Sequence, residues 1–315
     1  MTPLGWRLFE MSHLRGVGPK TLRSLSARPG LASASVEDLR WMDARLARAL
    51  KGPGAFEQAQ SLAQQQLEQA DRQDAFILSS VDSDFPALLR QTDDAPMFLF
   101  VRGALASLRE RSISVIGTRE PSRHGVLTAE RLTKYFAGRG WTIVSGLAPG
   151  CDAAAHRAAI AAGEKTVAVL AHGLQTTAAL QHAELAEEIV ATGGALVTEY
   201  AYGVESAPHQ FVQRDRIQAG LSRGVVMIQS DLDGGSLHAS RAALRYGRLL
   251  AVPRPTQADL EAGHPKSQAN LVLTDGSAEE QMKLLQCDGA ALSRLTVLSS
   301  REDYAVWERE LEMVG

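Results

Sequence analysis

The sequence is poor in cysteine and aromatic residues and has no long hydrophobic run. Cys151 and Cys287 are the two cysteines in 315 residues, so there is neither a disulfide framework nor a cysteine metal-ligand spacing. No apolar stretch approaches the roughly 20 residues that cross a bilayer, and charges occur too early for a secretory signal. We therefore expect a cytoplasmic protein with no membrane association.

Excess positive charge and the common catalytic motifs are also absent. The net charge of −3 argues against a strongly basic nucleic-acid binder, although a near-neutral protein can still contain a focused basic crevice. The sequence has no Walker A, H-E-x-x-H or G-x-S-x-G motif, and the loop at Gly117 lacks dinucleotide-binding spacing. We assign no catalytic residue, metal ion or cofactor, and expect a binding protein rather than an enzyme.

Short apolar segments alternate with amphipathic helical stretches through the middle of the chain. This alternation predicts an α/β fold with a Rossmann-like, doubly wound and mostly parallel sheet over residues 73–276. A small all-helical domain is predicted over residues 1–72, and a helical tail over residues 277–315. Strands are expected near 76–78, 97–101, 113–116, 142–145, 166–170, 195–198, 224–229 and 249–252, with a further edge strand at 271–273.

A glycine-rich turn lies in the helical part. Gly16 and Gly18 precede a proline suited to the first position of a helix, and Lys20 follows. The turn is similar to a helix-hairpin-helix motif, which offers backbone N–H groups to a DNA phosphate. The alternative is an ordinary turn between two packed helices.

Three loops of the predicted sheet have anion-binding character. Gly117, Thr118 and Arg119 follow the strand at 113–116, and Ser122 is suited to cap the next helix. Ser145 and Gly146 end the next strand, and Gly235 and Ser236 begin a helix after a later strand. Because the carboxyl ends of parallel strands lie at one edge, these loops are expected to line one crevice.

A second basic segment surrounds Arg214 and Arg216. These arginines are two residues apart and cannot share a helix face, so one is expected to reach the crevice while the other pairs with Asp215 or lies at the rim. Phe211 either stacks on a base or belongs to the core.

Three other ionisable groups have structural interpretations. Asp152 is expected to cap a helix, and His156 to hydrogen-bond a nearby backbone group. Glu199 follows a predicted strand and is either a general base or the partner of an arginine.

Six ordered motifs within about residues 76–276 resemble the DNA-processing protein A family, also called Smf. They are IGTREPSRHG at 116–125, SGLAPGCDAAAH at 145–156, TVAVLAHGL at 166–174, RDRIQAGLS at 214–222, GSLHA at 235–239 and AVP at 251–253. The resemblance implies a Rossmann-like protein that binds single-stranded DNA and forms homodimers. It also implies a role in natural transformation, in which members protect incoming strands and help to load the RecA recombinase.

The resemblance assigns phosphate binding to particular residues of this sequence. Its motifs fall on Gly117, Thr118 and Arg119, on the turn 145–148, on Arg214 and Arg216, and on Gly235 and Ser236. Three departures stand out. Residues 177–180 lack the usual Tyr-Pro pair and basic residue, Asp215 replaces an asparagine, and the residues after 276 are not expected to form the winged-helix unit found in many members.

The sequence is also compatible with two other functions. The crevice could belong to a small-nucleotide sensor or hydrolase, with Asp215 or Glu199 as base. Alternatively, the chain could be a scaffold paralogue in a defence or regulatory complex.

Overall fold

Five helices form the amino-terminal part of the chain. The structure is a computed structural model that describes residues 1–108, 111–175 and 182–314. Proline opens the first two helices, and Ser35 with Asp38 forms a capping box at the third. The helices are α1 (Pro3–Ser12), α2 (Pro19–Ser26), α3 (Val36–Met42), α4 (Ala44–Ala49) and α5 (Ala55–Arg72). The predicted all-helical unit is therefore confirmed.

The described residues then build one sheet flanked by helices. The strands are β1 (Ala75–Ser79), β2 (Phe98–Gly103), β3 (Ser112–Ile116), β4 (Thr142–Ser145), β5 (Thr166–Val169), β6 (Ala195–Thr198), β7 (Gly224–Met227), β8 (Leu249–Pro253) and β9 (Leu295–Leu298). The helices are α6 (Ala87–Arg90), α7 (Arg123–Ala137), α8 (Cys151–Ala161), α9 (Ala183–Ala191), α10 (Pro208–Leu221), α11 (Ser236–Arg245), α12 (Gln257–Glu261), α13 (Gln268–Asp275), α14 (Ala278–Leu285), α15 (Gly289–Leu292) and α16 (Glu302–Met313).

The strand order is β1-β2-β6-β5-β4-β3-β7-β8-β9. The pairs β1–β2 and β2–β6 are antiparallel, and the remaining pairs are parallel. The predicted Rossmann-like, mostly parallel sheet is confirmed.

The central strand β3 fixes the position of α10. All five of its residues are buried, as expected for a strand covered on both faces. Its serines satisfy their hydroxyls on α10, because Ser112 donates to the Leu221 carbonyl at 2.7 Å and Ser114 to the Gln218 carbonyl at 2.8 Å. These buried hydrogen bonds hold α10 across the sheet, close to the loop that follows β3.

The chain reverses direction across the sheet at β3. From β3 it proceeds to β4, β5 and β6 on one side, and it returns to β7 and β8 on the other. Loops that leave neighbouring strands in opposite directions open a crevice at the carboxyl edge, which is where open α/β sheets bind ligands. The topology therefore places a binding crevice between the loops after β3 and β7.

The predicted edge strand at 271–273 is wrong, because these residues belong to α13. A short apolar run suits a strand or a buried helix equally well, and tertiary contacts decide between them. Ala269 and Leu273, four residues apart, lie in the core as one helix face requires. The edge strand is instead β9, which pairs in parallel with β8.

The residues after 276 are consequently more than a helical tail. They contain β9, and α16 packs Trp307 and Leu311 into the core beside Gly224. Glu308 accepts a hydrogen bond from the Trp141 indole at 2.9 Å. These contacts make the carboxyl-terminal segment part of the sheet layer.

Candidate functional site

A cavity of about 540 Å³ opens at the carboxyl edge of the sheet, where the chain reverses. Its walls come from the loops after β3, β4 and β7 and from α10. It brings together seven of the predicted binding residues: Gly117, Thr118, Arg119, Phe211, Arg214, Gly235 and Ser236. The predicted convergence of the β3 and β7 loops is therefore present.

The loop after β3 is tied to the end of the neighbouring strand β7 and to the start of α8. The Thr118 N–H donates to the Gln229 carbonyl at 2.8 Å, and the Cys151 N–H donates to the Thr118 carbonyl at 3.2 Å. A Cβ on Gly117 would lie 2.5 Å from the Cys151 sulfur. Only glycine therefore allows this loop to approach α8 so closely, and the loop is pre-organised before any ligand arrives.

Opposite this loop is the amino-terminal end of α11. Gly235 is the cap residue, and its side-chain position is open space. The Ser236 hydroxyl oxygen is shielded from solvent, and it has no hydrogen-bond partner within the described residues. Exposed backbone N–H groups at a helix start, together with a free hydroxyl, favour an anion.

Arg119 supplies positive charge to the cavity. Its guanidinium lies 5.1 Å from the centre of the Phe211 ring, in cation–π contact. Among residues 1–108, 111–175 and 182–314, no carboxylate forms an ion pair with it. Its charge is therefore available to a ligand.

Arg214 has a different environment. Its side chain is buried, and Nη1 donates to the Val169 carbonyl at 2.6 Å while Nε lies 3.3 Å from Asp215. A Cβ on Gly146 would come within 1.7 Å of Nη1, so glycine at 146 leaves room for this arginine. Arg214 thus lines the cavity while being held by the protein.

Burial disfavours the charged form of the two carboxylates beside Arg214, those of Asp215 and Asp152. Burial raises the pKa of Asp215 to about 7, with Arg214 opposing the shift. Burial likewise raises the pKa of Asp152, again opposed by Arg214. At neutral pH the wall therefore carries less negative charge than its composition suggests.

Sequence reasoning did not identify Lys266 as a cavity residue. Its ammonium lies 2.7 Å from Asp231 and 3.9 Å from Glu120, so it neutralises part of the acidic rim. No motif or periodicity marks it. Its place follows from the path of the chain after β8.

Four predicted binding residues lie elsewhere in the structure. Ser122 caps α7 by accepting the Gly125 N–H at 3.0 Å, as expected of a cap, and the buried Ser145 hydroxyl donates to the Val115 carbonyl at 2.6 Å. Gly146 is covered by Arg214, and Arg216 pairs with Glu199 at 2.6 Å. The expected Glu199–arginine pair is confirmed, and Arg216 faces a second cavity.

The helix-hairpin-helix-like turn lies in the helical unit and not in this cavity. Gly16 has φ +85°, Gly18 caps α2, and Lys20 is exposed. Arg15, Arg45 and Arg48 line a separate open depression beside the turn. The structure thus gives the turn a basic surrounding.

Asp152 and His156 differ from expectation in detail. Gly150, and not Asp152, is the cap residue of α8, while Asp152 accepts the Ala148 N–H at 3.4 Å. His156 is fully buried, with Nδ1 2.7 Å from the Thr166 hydroxyl oxygen instead of a backbone group. Because Thr166 donates its own proton to the Ile143 carbonyl, His156 is the donor in this pair.

Protonation of His156 should destabilise the fold in acid. Burial lowers the pKa of His156 to about 3, below its ordinary value of 6.5. Below pH 6.5 the unfolded chain therefore gains a proton that the folded chain does not, and the free energy of unfolding falls until the pH approaches 3. Through His156, lowering the pH from 7.5 to 5 should reduce the free energy of unfolding by about 2 kcal/mol. Urea unfolding at both pH values should show this component in the parent and not in His156→Gln.

The matched control for that experiment is His209→Gln, at an exposed position of α10. It should keep the parent pH dependence. Equal pH dependence in parent and His156→Gln would contradict the assigned burial effect.

The described residues contain no group of three or more His, Cys, Asp or Glu side chains that could hold a metal ion. Within the same ranges, no helix is both long and apolar enough to cross a membrane. The predicted loss of a basic contact at Thr177–Leu180 lies outside the described residues.

Comparison with known proteins places the chain in a family. The family model described as "DNA recombination-mediator protein A" matches residues 76–283, which is more than half of the chain and includes every wall of the cavity. The chain belongs to this family. The resemblance to the DNA-processing protein A family, based on the six ordered motifs, is thus confirmed.

Individual relatives agree with this membership. The chain is 41% identical over 180 residues to protein Smf of Escherichia coli K12, covering 56% of this chain and 48% of Smf. The matched region therefore spans about half the length of that relative.

Solved structures support the fold. DNA processing protein A of Streptococcus pneumoniae aligns with a TM-score of 0.69 and 24% identity, over 97% of this chain and 98% of that one. DNA processing protein A of Helicobacter pylori, described for its single-stranded DNA binding mode, aligns with a TM-score of 0.59 and 21% identity, over 75% and 96%. At these identities the likeness concerns the fold.

Proposed function

We propose that this chain binds single-stranded DNA in the cavity at the carboxyl edge of the sheet. One observation carries the proposal. Arg119 forms no ion pair with a described carboxylate, and it lines the same cavity as the start of α11. Membership in the recombination-mediator family, and the single-stranded DNA binding named for the Helicobacter pylori relative, support the same ligand.

Each wall of the cavity makes a different contact with the bound strand. Arg119 and the backbone N–H groups at Gly235 and Ser236 receive a phosphate, helped by the unpartnered Ser236 hydroxyl. Phe211 offers a ring face to a base, a contact that tolerates any sequence. The proposed phosphate site therefore consists of Gly117, Thr118, Arg119, Gly235 and Ser236, with Arg214 supporting the wall.

The remaining residues of the predicted site are proposed as supports for it. Ser122 and Ser145 fix the ends of α7 and β4, Gly146 admits Arg214, and Arg216 adds positive charge beyond the cavity. Asp215 does not prevent phosphate binding, because it lies against Arg214 and its pKa is raised to about 7.

The test is titration of a labelled oligothymidine at several salt concentrations. We expect the logarithm of the affinity to fall linearly with the logarithm of salt, with a slope of about −0.7 per neutralised phosphate. Unlabelled single strands should compete better than duplex of the same length. No binding at about 50 mM salt would overturn the proposal.

We further propose that the turn in the helical unit contacts DNA phosphates through Gly16, Gly18 and Lys20. The exposed Lys20 and the nearby Arg15, Arg45 and Arg48 give this surface positive charge. Lys20→Ala should weaken binding of long strands only about twofold, because one exposed lysine forms one screened phosphate contact. Lys283→Ala, in α14, is the control in the same titration, and a loss equal for both variants would contradict the proposal.

We propose that this family member acts in the cytoplasm as a homodimer, protecting single strands during DNA uptake and helping to load the RecA recombinase. The family description as a recombination mediator supports this role. Sedimentation at micromolar concentration, and RecA filament assembly on coated strands, test these two points separately.

One observation favours a second candidate function. The cavity volume of about 540 Å³ is that of a small-ligand pocket, and its walls mix cations with carboxylates. A small nucleotide would fit such a site, with binding detected as a rise in melting temperature. Stabilisation by a mononucleotide, combined with absent oligonucleotide binding, would favour this function over DNA binding.

A further inference from the structure

A second and larger cavity lies beside the first. Its volume is about 840 Å³, and it is bounded by α10, α11 and the segment from α14 to β9. The side chains of Arg216, Arg241, Arg245 and Arg294 line it, together with His238. The six family motifs leave Arg241, Arg245 and Arg294 without a function.

The charge of this cavity is only partly neutralised. Arg216 pairs with Glu199, and Arg245 pairs with Asp94. Arg241 and Arg294 instead contact backbone carbonyls, those of Leu284 at 2.9 Å and Ala290 at 3.3 Å. Within the described ranges neither forms an ion pair with a carboxylate.

The acidic side chains that line this cavity do not cancel these two arginines. Asp94 is occupied by Arg245 and by the Tyr246 hydroxyl. Asp288 accepts the Ala291 N–H at 2.8 Å and thereby caps α15. Two guanidinium groups therefore face the cavity with their charge available for an anion.

The two cavities adjoin along α10 and α11. Val212 lines both, and 43% of its surface is exposed. On α11, Gly235 and Ser236 border the first cavity while His238 and Arg241 border the second. At 1.5 Å per residue, Arg241 lies about 9 Å along the helix from Gly235, so one continuous strand can reach both cavities.

We infer that the arginine-lined cavity receives the backbone of the same DNA strand as it continues past Val212 from the first cavity. This inference rests on the proposed function. It assigns Arg241 and Arg294 to phosphates a few nucleotides away from the one at Arg119. A polyanion fits because it can reach both cavities at once, and because guanidinium groups are suited to phosphate oxygens.

The experiment compares oligothymidines of about 4 and about 12 nucleotides, a range that matches known site sizes for single strands. The parent protein should bind the longer strand more tightly. Arg294→Ala should weaken the longer strand by about threefold to tenfold and flatten its salt slope by about 0.7, while leaving the shorter strand unchanged. Arg294→Lys, which keeps the charge, should retain most of the longer strand's affinity.

Arg309→Ala is the matched control, because it removes one exposed arginine of α16 outside both cavities. Arg241→Ala is the second variant, and melting temperatures show whether either cavity variant is unfolded.

Three results would overturn the inference. Parent-like binding of both lengths by Arg294→Ala and Arg241→Ala would remove these arginines from the DNA path. Equal weakening of both lengths would place them at the first cavity. If the parent binds neither length, the proposed function itself fails, and this outcome is distinct from the first two.

Discussion

Replacing Arg119 by alanine should weaken single-stranded DNA binding about tenfold at 50 mM salt and reduce the salt slope by about 0.7. Arg119 provides the cavity with a guanidinium that forms no ion pair with a described carboxylate, although its charge acts on Asp215 from a distance, and it also lies over the Phe211 ring. A tenfold loss corresponds to about 1.4 kcal/mol, close to the lower end of the roughly 1.5–3 kcal/mol that a hydrogen bond to a charged group contributes. The loss should be similar for all base sequences, because phosphate contacts carry no sequence information.

Anisotropy titrations of the parent and Arg119→Ala across a salt series measure both effects. Arg309→Ala changes net charge equally but lies outside the cavity, so it should bind as the parent does. Unchanged affinity and slope in Arg119→Ala would remove this residue from the site. In that case the cavity could not be the main DNA contact as described.

Replacing Arg214 by methionine should lower the free energy of unfolding by about 3–5 kcal/mol at pH 8. The guanidinium is buried, bonds the Val169 carbonyl and stands against Asp215 and Asp152. Its removal leaves two buried carboxylates without their cation. The cost of an uncompensated buried charge exceeds that of an exposed ion pair several-fold.

Urea unfolding at pH 8 and pH 6 measures this effect. The destabilisation should be smaller at pH 6, because burial raises the pKa of Asp215 to about 7 and that carboxyl is then largely protonated. The double variant Arg214→Met with Asp215→Asn should recover part of the loss. A loss below about 1 kcal/mol at pH 8, similar to that of Arg309→Met, would mean that Arg214 is not the buried counter-ion.

These two arginines illustrate what tertiary structure adds to a motif. Both occur in family motifs, and from sequence both are candidates for phosphate binding. The structure leaves Arg119 available beside Phe211, whereas it immobilises Arg214 over Gly146. The difference arises from burial and from the position of β5, whose Val169 carbonyl lies within reach of Arg214. The local sequence shows neither the burial of Arg214 nor the position of β5.

The family match covers only part of the structure. The matched model covers residues 76–283, so the helical unit and the segment from α15 onward lie outside it. β9 and α16 nevertheless complete the sheet layer through Trp307 and Leu311. Arg294 stands just before β9. The second cavity is therefore partly built from residues beyond the match.

By itself, the sequence determined the alternation of strands and helices, the loops at Gly117 and Gly235, and the family. These depend on local chemistry, namely short apolar runs, glycines that permit close approach, and serine at helix starts. Tertiary structure alone decided that residues 271–273 are helical, that Leu295–Leu298 completes the sheet, and that Lys266 enters the cavity. Each of these depends on contacts between residues far apart in the chain, because a short apolar run or a single lysine has no structure of its own until its neighbours are in place.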